Sequence, residues 1–150
     1  MKTTLKTEEV LVLYRTLNTS KYAKLSDSDK IKVWKIVRAL KPVATQFEED
    51  SKDAADKLKP YEEFQDDLQK AQDYEQKKGV GCEMTIDDYQ KFMAAFKAYN
   101  KNVEKALKEF AEKEVTLEYD AISEEAFTKL MDSNDWNFGE AVNVGGWITE

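Results

Sequence analysis

The sequence predicts a mainly α fold: a long antiparallel helical hairpin with a short N-terminal helix and a small C-terminal strand-plus-helix unit. Three observations carry that expectation. Apolar residues recur at steps of three or four from Ile31 to Tyr74, with one gap of seven across Ser51, a second such stripe runs from Ile86 to Phe110, and a short link containing Gly79 and Gly81 joins the two. That spacing belongs to helices and not to strands, and a short link between long helices makes them antiparallel neighbours. A length of 150 residues with 41% hydrophobic and 11% aromatic content fits one folded domain,. We expect it to span residues 1–150, with a helical region over 1–114 and a small tail over 115–150 docked on it.

The first helix should run from Glu8 to Asn18 with Thr7 as its N-cap, since Glu8 and Glu9 complement the helix dipole and Val10, Leu13, Tyr14 and Leu17 form a stripe,. Thr19 to Leu25 reads as a connection. Ser26 or Ser28 then opens the dominant helical element, whose stripe continues through Leu40, Phe47, Leu58, Phe64 and Ala71. Pro42 and Pro60 each remove an amide donor and crowd the preceding turn, so a kink or break is expected at one or both. Pro60 could instead begin a separate helix. Thr85 caps the returning helix, which has Asp87 and Asp88 in its first turn.

Beyond it, Val115 to Ile122 alternates with period two, as a half-buried strand would,. Ser123 caps a short helix, Glu124 to Met131. From Asp132 onward the mixture of Asn, Gly and Trp reads as irregular structure. Its apolar residues, among them Trp136, Phe138, Trp147 and Ile148, require it to dock on its own helices or on another subunit.

The composition excludes several function classes. There is no His, so triad, Cys–His and His-containing zinc chemistry are absent,. Cys82 has no partner in the chain, which fits a reducing cytoplasm,. No apolar run approaches a membrane span, and the opening MKTTLKTEEV lacks the apolar region of a signal peptide,. Residues 1–41 carry a net charge of +6 and residues 42–150 a net −13. The acidic majority would repel a phosphate backbone and disfavours general nucleic-acid binding, whereas the dipolar distribution can orient partners or favour head-to-tail association.

Candidate chemical motifs are few. Glu49 with Asp53, and Glu62 with Asp66, would share helix faces and could in principle chelate a hard cation, but adjacent acids on amphipathic helices ordinarily form solvated faces. Asp132 to Glu140 superficially suggests a calcium loop, yet its sixth and twelfth positions are Asn137 and Asn143 rather than Gly and Glu,. Gly79-Val80-Gly81 lacks the Lys of a phosphate-binding loop. Glu83 beside Cys82 would raise the thiol pKa. We therefore expect no catalytic residues, metal or cofactor.

The basic stretch differs. At 100° per residue, Val33, Ile36, Val37, Leu40, Val43, Ala44 and Phe47 fall in one arc, whereas Lys30, Lys35, Arg38 and Lys41 surround Trp34 and Ile31 on the other side,. A Trp ringed by cations could anchor a protein, stack on a base or bind an anion. Alternatively, Trp34 and Ile31 cover the first helix while the basic stems lie along them.

The segments LKTEEVLVLYRTLN and KLSDSDKIKVWKIVRALKPVATQFEED, within residues 5–60, resemble small, mainly helical proteins of unknown function encoded by tailed phages and prophages. The resemblance implies a phage-derived protein in a bacterial host cell or associated with a virion, and carries no functional residue across. The leading expectation is a non-enzymatic protein-interaction or assembly factor, working as a phage accessory or host-modulating protein. It would use a protein partner or self-association, with Trp34, Lys35, Arg38, Lys41, Trp136 and Trp147 as candidate contact residues and no membrane involved. The alternative is a binding module for an anionic ligand or nucleic acid on the Trp34 face, and the least favoured is a metal-dependent enzyme using acidic residues.

Overall fold

The structure, a computed structural model, describes residues 2–150. It is mainly α. Along the chain run β1 (Lys2–Lys6), α1 (Thr7–Asn18), α2 (Asp27–Lys57), α3 (Phe64–Lys77), α4 (Ile86–Glu112), β2 (Glu114–Glu118), α5 (Glu124–Asp132) and α6 (Phe138–Ile148). The chain forms two compact units: Met1–Glu48 with Phe110–Glu150, and Glu49–Glu109. Residues 115–150 thus share a unit with α1 and the first part of α2.

Short-range capping chemistry sets most helix starts. The Ser26 hydroxyl accepts from the Asp29 amide at 3.2 Å, Thr85 from Asp88 at 3.2 Å and Ser123 from Ala126 at 3.1 Å,. Thr7 is not a cap. It is the first residue of α1, and both its amide and its hydroxyl donate to the Lys113 carbonyl at 2.8 Å, while the Lys6 amide donates to Glu9.

The first arm of the hairpin is two helices rather than one. Pro42 sits on the exposed side of α2, which continues through it to Lys57, whereas the chain leaves helical geometry at Leu58 and resumes at Phe64, around Pro60. The buried residues Val33, Ile36 and Leu40 anchor α2 ahead of Pro42, so the one missing amide is tolerated there,. Glu62 and Glu63 consequently lie in the break and not on a helix.

In the first unit, β1 and β2 pair antiparallel with Lys2 opposite Glu118, Thr4 opposite Thr116 and Lys6 opposite Glu114. The two outer pairs join opposite charges, and the central threonines hydrogen-bond at 3.2 Å,. β1 was not expected, because KTTLK holds only one apolar residue. The expected strand over 115–122 is shorter, ending at Glu118, and Ile122 instead bridges Thr149 in parallel. Beneath the ladder, Leu13, Leu17, Ile36, Leu40, Ile122, Leu130 and Ile148 are fully buried in one core. Each contributes about 1.5–3 kcal/mol of transfer free energy.

Residues 138–148, expected to be irregular, form α6. Its glycines lower helix propensity, but Asn137 caps it by accepting from the Glu140 amide at 2.8 Å, and Val144 and Ile148 are buried,. Gly145 permits the approach of α5: a Cβ there would lie 3.0 Å from the Phe127 ring.

In the second unit, α3 and α4 form the antiparallel hairpin. Tyr74 stacks on Tyr89 with centroids 4.3 Å apart near the turn, and Phe64, at the other end of α3, meets Tyr99 at 4.8 Å. Tyr99 donates to the Ala55 carbonyl at 2.7 Å, tying the end of α2 to α4. α3 ends as Lys78 and Gly79 take positive φ, with the Gly79 amide donating to the Tyr74 carbonyl,. Gly79→Ala places a Cβ 3.1 Å from the Tyr74 ring at φ +80°, whereas at Gly81, φ +70°, the space is open. Gly81→Ala should therefore cost only the left-handed backbone penalty of about 1–2 kcal/mol. Gly79→Ala should cost more, because it also pushes on the stacked tyrosines. Urea midpoints of the two variants test the order, and equal shifts would contradict it.

Candidate functional site

The candidate site lies on the exposed side of α2, and helical periodicity builds it. Lys30, Trp34 and Arg38 are spaced by four and so rise along one face, with Ile31, Lys35 and Lys41 beside them,. All six are exposed. Trp34 retains 56% of its surface and Ile31 53%. More than half of each side chain is therefore left uncovered. The Arg38 guanidinium lies 4.7 Å from the Trp34 ring centroid, a cation–π contact that holds a charge on the indole face,.

The indole borders a pocket of about 270 Å³ whose other walls are Leu17 and Asn18 at the end of α1, Tyr22 in the connection, and Lys30, Val33 and Val37 of α2. Its lining is chiefly apolar with a cationic rim. The Tyr22 hydroxyl donates to the Leu17 carbonyl, fixing that wall. Burial pushes the Tyr22 pKa up to about 12. An unfolded tyrosine ionises near 10, so the folded chain holds this proton more tightly. The corresponding stability is intact below pH 10 and is lost as pH rises from about 10 to 12. Tyr22→Phe should therefore weaken the decline of the urea midpoint over that interval, and parallel profiles for the two proteins would refute this.

The other two tryptophans are placed elsewhere in the same unit. Trp136 is half-buried with its ring 6.1 Å from Phe127, and Trp147 is half-buried against the same core, its carbonyl accepting from Tyr119 at 2.6 Å. Both dock on the chain's own helices. The large apolar groups that remain uncovered at the C-terminal end are Phe138, 85% exposed, and Val142.

The remaining candidates resolve individually. Among the described residues no group of three or more His, Cys, Asp or Glu side chains could hold a metal. Asp67 accepts from the Tyr61 hydroxyl at 2.7 Å and Asp73 pairs with Lys77 at 3.1 Å. Asp132 ends α5, and Asn134, inside the calcium-like segment, exchanges hydrogen bonds with the Lys21 backbone. The Cys82 thiol is pushed up by burial and then by Asp73, rather than by Glu83. No helix among the described residues is long and apolar enough to cross a membrane.

Sequence periodicity located the Trp34 face but missed the pocket. Two of its walls, Asn18 and Tyr22, lie at the end of α1 and in a connection that carries no pattern. A Tyr in the connection, 12 residues before an exposed Trp on a basic helix, was the available signal. Comparison with family models, with curated proteins and with solved structures finds no match to this chain.

Proposed function

We propose that this chain is a non-enzymatic protein-interaction or assembly factor that docks its partner on the Trp34 face of α2. The observation that carries the reading is an exposed Trp, held under Arg38 at the mouth of an apolar pocket with a basic rim. Trp and Arg are the side chains that dominate binding energy at protein interfaces, chiefly where an apolar anchor fills a pocket. A partner suited to it offers an apolar side chain flanked by acidic residues, because Lys30, Lys35, Arg38 and Lys41 on this face attract acids and repel other cations,. Phage accessory or host-modulating work in the bacterial cytoplasm or on a virion is the setting favoured by the resemblance of residues 5–60 and by the lone Cys82. A second reading, an anionic small ligand or nucleic acid on the same face, draws on the same four cations.

A photo-crosslinking amino acid at Ile31, one turn from Trp34, separates the readings in bacterial extract. The expected result is covalent adducts to peptides rich in Asp and Glu, lost when Lys30→Glu and Arg38→Glu are added. Adducts to nucleotides, or none to any polypeptide, would overturn the proposal.

A further inference from the structure

We infer that the partner side chain is Phe138 of a second copy of this chain, seated in the Trp34 pocket. This rests on the reading of the Trp34 face as a docking surface and names its occupant. Phe138 is the most exposed large apolar side chain among the described residues, at 85%, and Val142, four residues on in α6 and 55% exposed, extends it into an uncovered apolar pair. The Asn137 cap holds Phe138 at the first turn of α6, so it is presented on a rigid element and loses little freedom on binding,.

Size and charge agree. A cavity of about 150 Å³ accepts a benzene ring, so a pocket of about 270 Å³ has room for a phenyl group and part of its neighbour,. Residues 30–41 hold five Lys/Arg and no acid, whereas residues 132–150 hold four Asp/Glu and no base. Contact between the two segments on different copies brings together the most basic helix face and a purely acidic segment, and complementary potentials of that kind steer association. The contact joins two different patches, so copies either exchange Phe138 reciprocally in a closed pair or extend head to tail.

Sedimentation velocity on the purified full chain at low salt, at sub-millimolar concentration, tests this. The wild type should sediment as a dimer or larger species of the 17.3 kDa chain and dissociate as salt is raised,. Phe138→Ala and Trp34→Ala should each return it to 17.3 kDa. Mixing these two variants should restore a pair, because one supplies the pocket and the other the phenyl group. That recovery also shows that each variant is folded. Lys30→Glu with Arg38→Glu should abolish association. A wild type that stays monomeric, an assembly unchanged by Phe138→Ala, or a mixture that does not pair would overturn the inference. If instead the Ile31 crosslinker marks an acidic peptide from a different protein, self-docking fails while the docking surface stands; if it marks no polypeptide, both fail.

Discussion

Phe64→Ala should destabilise the second unit by about 3–5 kcal/mol, the range for emptying a buried aromatic site. Phe64 is 1% exposed, and its ring meets those of Tyr61, Phe92, Phe96 and Tyr99 at centroid distances of 4.8–6.3 Å. Removing it leaves four rings without their common neighbour. The remaining buried side chains of that core, Ala71, Met84 and Phe92, are too few to close over the gap. Urea titration should show the midpoint falling, and hydrogen exchange should place the loss of protection in α3 and α4. Phe64→Leu should recover part of the stability by refilling volume. A change no larger than that of the exposed Val80→Ala would refute the central place assigned to this ring,.

Ile148→Ala should cost about 2–5 kcal/mol in the first unit. Its side chain is fully buried, and its carbonyl accepts from the Ile122 amide at 2.8 Å, while the Ile122 carbonyl accepts from Glu150 at 3.2 Å. The substitution therefore opens a cavity where the segment after β2 and the end of α6 clamp each other. Ile148→Val should cost about 0.5–1.5 kcal/mol, because only one methylene is lost. Val142→Ala, on the uncovered side of α6, should change folding stability little. Equal midpoints for Ile148→Ala and Val142→Ala would show that α6 does not contribute to the core.

What was legible in the sequence is what short-range chemistry decides. The caps Ser26, Thr85 and Ser123 work on amides three residues away, so residue type and spacing were enough. Thr7 has the same chemistry, but a carbonyl 106 residues distant claims its hydroxyl. No local pattern contains that partner. β1 was invisible for the same reason, since a strand of two lysines, two threonines and one leucine acquires its identity from β2. α6 was obscured differently: Gly139, Gly145 and Gly146 argue against a helix, and only the close approach of Phe127 explains the one at 145. At the candidate site, the 100° arithmetic assembled the basic face around Trp34. Its pocket depends on how α1 and the connection meet α2, which periodicity along one helix does not encode.

The pairing of Thr4 with Thr116 across 112 residues has a consequence for the chain as it leaves the ribosome. At about 5–20 residues per second, β1 waits on the order of 10 s for the strand that completes it. Residues 49–109 are contiguous and emerge within that interval, so the aromatic hairpin can mature while β1 still presents an open edge,. In that window two nascent chains on one messenger hold unpaired Lys2–Lys6 strands side by side, and the lysines at both ends of each repel the other. The charge pattern that sets the register of the finished ladder thus also guards the unfinished strand against a copy of itself.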